Sequence, residues 1–409
     1  MTNRTVEIDL VASEFEWEYL PGQRTRVWGY NQQVPGPTIE ANAGDTLVVR
    51  LHNQLPEPTT IHWHGLRIPA PMDGTEDTQP TVQPGDVFEY RFVLPDAGTF
   101  WYHPHTNETV QLERGLYGAL VVRAPHEELV VDEDRTFVLR DVKLDRNAQI
   151  AKFGGFGQRH NGRKGNVVLV NGKPQPVHRM RAGQFERWRF INTASGRYFR
   201  LTLGGREFRI IGTDGGAIEA PVFATEVSLA PADRIEILAG PFGEGDTVHI
   251  CDDRTTIAAV EVLARTASRA HIPARLRTIE PIAPFDAEPT RTLKLFARPS
   301  RQIIDFTVNG QAHLHDQPVR LGEVQVWEIV NLTPMHHPFH LHGYFFQVLS
   351  VNGKEPLYRS WEDTVDVPPL GRVRIAWKPE DRAGRWMYHC HILEHHAAGM
   401  MAHFETVEG

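Results

Sequence analysis

Gly44-Asp45-Thr46-Leu47-Val48-Val49-Arg50-Leu51-His52-Asn53 opens the pattern that decides the fold. Its glycine stands nine residues before its asparagine, and a further glycine, in His62-Trp63-His64-Gly65, follows twelve residues later. Both intervals recur at Gly183, Asn192 and Gly204, and again at Gly322, Asn331 and Gly343. Self-similarity of this kind predicts three copies of one structural unit. The flanking residues predict its type. Thr5 to Leu10 alternates polar and apolar side chains, as do Asp45 to Leu51 and, in part, Phe88 to Leu94, the pattern of half-buried strands. The 34 glycines and 29 prolines break these runs at short intervals, which favours β-sandwiches. Helix is expected only over 108–114 and around 391–396.

The later parts of the copies agree as well. Ala97-Gly98 precedes Tyr102-His103-Pro104-His105 by the interval that separates Ala383-Gly384 from Tyr388-His389-Cys390-His391. In the middle copy Leu201 and Leu203 take the places of paired histidines, and Gly245 puts Cys251 in the cysteine slot without its flanking histidines. Cys251 therefore reads as a buried, inert thiol. The expected division is 1–125, 126–265 and 290–409, with the Pro-, Ala- and charge-rich stretch 266–289 as a linker.

The bulk properties exclude several classes. A formal net charge of -8 over 409 residues argues against nucleic acid, which needs clustered Lys and Arg. The basic run Gln158-Arg159-His160-Asn161-Gly162-Arg163-Lys164 is short and reads as a solvated loop. No apolar run is long enough for a membrane span. Met1-Thr2-Asn3-Arg4-Thr5-Val6-Glu7 lacks the apolar core of a signal peptide, so the protein works inside the cell or the sequence starts after a removed signal. The two cysteines, Cys251 and Cys390, say little about compartment.

Histidine carries the chemistry. Of 21 histidines, ten fall in four tight clusters. Residues two apart on a strand share a face, so His62 with His64, His103 with His105, His340 with His342, and His389 with His391 can each join one metal site. One such pair is weak; four at matching places in the outer copies put eight imidazoles at one interface. Cys390, between His389 and His391, must point the other way. There it can meet His395, Met400 and His337. Two imidazoles, a thiolate and a thioether suit a mononuclear electron-transfer copper site better than zinc.

The words His62-Trp63-His64-Gly65, Trp101-Tyr102-His103-Pro104-His105, His337-Pro338-Phe339-His340-Leu341-His342-Gly343 and His389-Cys390-His391-Ile392-Leu393-Glu394-His395, followed by Met400, resemble those of bacterial laccase-like, three-domain multicopper oxidases. The resemblance runs from His62 to Met400. It implies an all-β chain of three cupredoxin-like Greek-key sandwiches and four copper ions. The type 1 copper would take His337, Cys390 and His395, with Met400 as axial neighbour. The type 2 copper would take His62 and His340, and the type 3 pair His64, His103, His105, His342, His389 and His391. A small organic or metal-ion reductant would dock near His337, its electrons passing through Cys390 to His389 or His391 so that dioxygen is reduced to water. The resemblance also favours a periplasmic or secreted location.

Asp73, eleven residues after His62, matches an acid that the family places beside its trinuclear site and is expected to serve in proton supply; an Asp-Gly turn is the plainer alternative. Bacterial relatives often carry a second acid directly after the last type 1 histidine, where this chain has His396. That departure leaves the second proton relay open to His396 itself or to Glu394, which reads equally as a solvated acid. A methionine at position 400 suggests a modest potential. His336 reads as a surface or substrate-facing residue, and His313 and His315 as loop residues. Trp63, Trp101 and Trp386 read as packing. The seven methionines form no Met-rich insert, which weakens a dedicated cuprous oxidase. The leading reading is a laccase-type oxidase of phenols and aromatic amines. A metallo-oxidase of cuprous, ferrous or manganous ions comes second, and a copper-binding protein without turnover third.

Overall fold

The computed structural model describes residues 4–300 and 303–408; Met1, Thr2 and Asn3 of the N-terminal stretch lie outside them. The chain is 50% strand and 5% helix and forms three cupredoxin-like domains. In the first, one sheet runs in the order Gln23–Tyr30, Thr5–Leu20, Thr46–Asn53, Val87–Val93, and faces a second ordered Ile39–Asn42, Gly118–Arg123, Gly98–His103, His62–His64. Thr5–Leu20 lies parallel to Thr46–Asn53, a long-range crossover of Greek-key type. The middle and last copies repeat that parallel pair, as Glu133–Val142 with Glu186–Asn192 and Arg291–Ser300 with Gln325–Asn331.

The recurrent asparagine has a physical reason. Asn53, Asn192 and Asn331 are buried at the ends of equivalent strands. In each, Oδ1 accepts the backbone N–H two residues on, from Leu55, Ala194 and Thr333. In each, Nδ2 donates across the sandwich, to the carbonyls of Val82, Leu229 and Val367. The side chain thus satisfies backbone groups that a strand end would leave orphaned in the interior. The second glycine of each set, Gly65, Gly204 and Gly343, has φ of +86°, +62° and +73°, a left-handed turn that glycine adopts without strain.

Each pair of sheets encloses its own apolar core. Trp63, Tyr90 and Phe100 belong to the first, Trp188, Phe190 and Leu201 to the middle one, and Trp327, Trp377 and Tyr388 to the last. A fourth cluster, with Trp101, Val138, Ile191 and Leu393, packs all three copies together. Leu201 and Leu203, in the histidine positions of the middle copy, are core residues, and Cys251 is a free, buried thiol. The stretch 266–289 is irregular but tied down: Ser268 Oγ and the Arg269 N–H donate to the Asp132 carboxylate at 2.6 and 2.7 Å. No helix among the described residues is long and apolar enough to cross a membrane.

Three short helices matter for the site. Helix α1 (Glu108–Arg114) starts just after His105, with Glu108 in its first turn and Arg114 in its last, charges that complement its dipole. Helix α2 (Phe156–Asn161) was not foreseen, since its sequence has no apolar period. Helix α3 (Leu393–Ala397) follows Cys390, and Gly399 at φ +109° lets the chain re-enter the sheet.

Candidate metal centres

Cys390 ends the strand Gly384–Cys390, and α3 folds His395 back toward it. Its Sγ lies 3.4 Å from His337 Nδ1 and 3.6 Å from His395 Nδ1, and those nitrogens are 3.1 Å apart. The outer ring nitrogens are committed elsewhere. His395 Nε2 donates to the His160 carbonyl at 3.1 Å, and His337 Nε2 meets Thr333 Oγ1 at 2.7 Å. Because a carbonyl only accepts, His395 carries its proton on Nε2 and turns a lone pair toward Cys390. Burial pulls His395 down to about 3 and pushes the Cys390 thiol up. A thiolate here needs a cation's charge in place of the proton. Met400 is fully buried, and its carbonyl accepts the Cys390 N–H at 3.0 Å.

The other eight imidazoles converge behind this site. His64, His103 and His391 form one triad with ring centroids 5.0–5.8 Å apart. His105, His342 and His389 form another at 5.0–5.4 Å. His62 and His340 make a pair at 5.8 Å, each stacked on a triad ring of the other copy: His62 on His342 at 4.1 Å and His340 on His64 at 3.8 Å. Both triads mix first- and last-copy residues. Neither copy holds a whole site.

The free nitrogens test whether metal fits. His62, His340, His103 and His389 donate Nδ1–H to the carbonyls of Asp73, Asp363, Pro104 and Cys390 at 2.8–3.0 Å. His64 is reversed, its Nε2 facing Asp363 Oδ1 at 3.0 Å. What remains points inward: Nε2 of His62, His103, His105 and His340, Nδ1 of His64 and both nitrogens of His391 are buried without a hydrogen-bond partner. Such groups cost about 1–3 kcal/mol each when left unmet. Burial also drives His64, His103, His105, His342, His389 and His391 well below the usual imidazole range, so their lone pairs are free at neutral pH. In His62 burial acts the same way, but Asp73 outweighs it and raises the ring. Neutral imidazoles and one thiolate are a donor set that suits copper.

Two aspartates brace the imidazoles crosswise. Asp73, from the first copy, takes His62 on its carbonyl and His342, from the last, on Oδ2 at 2.8 Å. Asp363, from the last copy, takes His340 on its carbonyl and His64, from the first, on Oδ1. Sequence reading found Asp73 and missed Asp363. Beneath Asp363 lies Arg234 from the middle copy, fully buried. Its Nη1 donates to Asp363 Oδ1 at 2.8 Å, its Nη2 also pairs with that carboxylate, and its Nε donates to the Thr99 carbonyl at 3.0 Å. Burial alone would raise Asp363, but the guanidinium holds it well below the carboxylate range. Gly65 makes room, since a Cβ there would stand 2.5 Å from both Arg234 Nη2 and Asp363 Oδ2.

The multicopper oxidase sequence pattern matches this chain over residues 12–127, 133–241 and 285–409. A multicopper oxidase of Staphylococcus aureus is 30% identical over 98% of the chain and 88% of its own length. The chain belongs to the multicopper oxidase family. A laccase of Bacillus subtilis is 28% identical over 92% of this chain and 89% of its own. Among solved structures, a multicopper oxidase of Pseudomonas thermotolerans superposes with a TM-score of 0.91 at 32% identity, covering 99% of this chain and all of that one. One from Campylobacter jejuni, described as a metallo-oxidase, superposes at 0.86 with 30% identity over 99% and 92% of the two chains. This multicopper oxidase is accordingly a copper-dependent oxidoreductase that uses dioxygen as acceptor.

Around His396 the oxidase departs from the sequence expectation. An acid does stand beside the second triad, but it comes from the first copy. Glu108 Oε1 lies 3.0 Å from His105 Nδ1, and its Oε2 lies 3.1 Å from His396 Nδ1. The His396 ring stacks on His389 at 4.3 Å. Glu394 is neither solvated nor turned toward the triads: it is buried, its Oε2 accepts the Arg163 N–H at 2.9 Å, and burial raises it to about 7. The basic run 158–164 is not a plain solvated loop either. Arg163 is buried on Glu113 at 2.7 Å, and His160 lends its carbonyl to His395. His336 is half exposed and pairs with Asp366 at 2.6 Å.

Proposed function

We propose that this oxidase is of laccase type, taking single electrons from phenols or aromatic amines and delivering four of them to dioxygen, which leaves as two waters. In this reading His337, Cys390, His395 and Met400 hold a type 1 copper, and His62 and His340 a type 2 copper. His64, His103 and His391, and His105, His342 and His389, each hold one of two type 3 coppers. Copper in these places supplies the one-electron redox steps and the binding of dioxygen. The carrying observation is covalent: Cys390, in contact with His337 and His395, is bonded through the main chain to His389 and His391, one in each triad. The domain limits follow the repeats, at 1–125, 126–265 and 290–409 with 266–289 between. The family likeness supports a periplasmic or secreted location.

The chain's own residues organise the protons. Asp73 fixes the orientation of His62 and His342 from a site with 1% exposure, so it holds the rings in place. Glu108, between His105 and His396, is placed to pass a proton inward from His396 Nδ1. Glu108→Gln is expected to lower steady-state oxygen consumption about 100-fold, the usual scale of a positioned acid. Anaerobic bleaching of the blue colour by reductant should stay as fast as in the wild type. Unchanged oxygen consumption would remove Glu108 from the proton path.

The substrate class is tested by oxygen uptake of the four-copper protein with a phenol, an aromatic amine, cuprous ion and ferrous ion at matched concentrations. The phenol and amine should give the larger kcat/KM. A clear preference for cuprous or ferrous ion would replace the laccase reading by the metallo-oxidase one, and no uptake with any reductant would leave a copper-binding protein.

A further inference from the structure

His313 and His315 have no part in the ligand sets above, yet the fold gives them a setting. Parallel pairing of Leu314–His315 with Met401–Val407 puts His315 beside His403 in register, and their rings lie 5.6 Å apart. Asp77, from the first copy, reaches His403 Nδ1 with Oδ2 at 2.5 Å, which leaves the lone pair on His403 Nε2. Burial lowers both His403 and His313, so their rings are neutral. Asp77, His313 and His403 line a cavity of about 380 Å³ whose inner wall includes Glu108, His396 and His105.

Two observations say what that cavity carries. Of the eight imidazoles of the triads and pair, His105 alone lines this cavity. The cavity therefore reaches the ligand set at His105. Second, its described lining holds the carboxylates of Glu76, Asp77 and Glu108 and no lysine or arginine, whereas each of four other cavities carries at least one arginine. Dioxygen and water need no such lining. A cation does, because it must exchange its hydration for other donors at every stage of entering a buried site. Carboxylate and neutral imidazole are the donors copper(II) accepts.

We propose that this cavity is the route by which copper ions load the trinuclear site, with the Asp77–His403 pair as the capture site and Glu108 and His396 as the relay to His105. The inference rests on the ligand assignment above and goes beyond it. Cys390 and its two histidines lie outside the cavity lining, so their copper arrives by another path.

The test uses the full chain produced without copper and then given copper(II) sulfate. At set times the reaction is stopped with a chelator; copper per chain and the type 2 paramagnetic signal report the trinuclear site, and blue absorption reports Cys390. The double variant Asp77→Ala/His403→Ala should gain trinuclear copper at least tenfold more slowly, turn blue at the wild-type rate, and reach the same final type 2 signal. Trinuclear loading at the wild-type rate, or equal slowing of both sites, would overturn the route. Should the double variant fail to fold, Asp77→Asn in the four-copper protein decides the matter. The wild type should bind one further copper(II) with a nitrogen-coordinated paramagnetic signal and Asp77→Asn should not; no fifth ion in the wild type would sink the capture site. A wild-type chain that never takes up four coppers would instead refute the ligand assignment.

Discussion

Replacing Arg234 by methionine should cost about 3–5 kcal/mol of stability, the usual penalty for stripping one partner from a buried ion pair, and should empty the trinuclear site while leaving the protein blue. The guanidinium is the cation that keeps Asp363 ionised in a place where burial would otherwise protonate it. Asp363 in turn accepts from His64 Nε2 and, through its carbonyl, from His340 Nδ1. Without Arg234, Asp363 takes up a proton, and its grip on the His64 tautomer that frees Nδ1 is lost. Arg234 Nε also ties the Thr99 carbonyl of the first copy, so the three domains loosen at one point. The site at Cys390 has no contact in this chain of bonds, and its colour serves as the internal control. Arg234→Lys keeps the charge but not the fork and should fall between. Thermal unfolding, copper content and the type 2 signal measure the outcome. A methionine variant within about 0.5 kcal/mol of the wild type, the range of a neutral surface change, and with full copper would show that the middle domain does not support the site.

That role for the middle domain was not legible in the sequence, and the reason is physical. Strand parity and repetition are local, so the four histidine words and the repeat announce the two kinds of site and the β-sandwich copies. The recurrent asparagine also shows as spacing, although what it does, stapling a strand end across the sandwich, needs three dimensions. Asp73 and Asp363 perform matching duties, yet one follows its histidine by eleven residues and the other by 23. No shared spacing marks the second, and Arg234 lies in a copy that the absence of histidines presents as a spacer. Glu108 was hidden in another way. The expected acid was sought beside His395, whereas the chain supplies it from α1, 288 residues before His396. The helix start just after His105 was foreseen; that its first turn faces α3 could not be.

Cys390→Ser should abolish the blue colour, lower the copper content by one ion, and bring reductant-driven oxygen consumption down to the level of the copper-free chain. The colour arises from a thiolate bound to copper(II), and a serine hydroxyl is far too weak an acid to replace that thiolate where burial already pushes the thiol up. The rest of the site should keep its shape. His337 is held by Thr333 Oγ1 and His395 by the His160 carbonyl, neither through Cys390. The Cys390 N–H still donates to the Met400 carbonyl, and the Cys390 carbonyl still accepts from His389 Nδ1, because both belong to the main chain. The triads should therefore retain their copper and their type 2 signal while electrons no longer reach them. Persistence of the blue band would mean that another residue supplies the thiolate, and Cys251, a buried thiol whose sulfur meets the His249 carbonyl and Thr256 Oγ1 rather than an imidazole nitrogen, cannot. Loss of blue with undiminished oxygen consumption would show instead that reductants feed the trinuclear site directly, through the cavity beside His105.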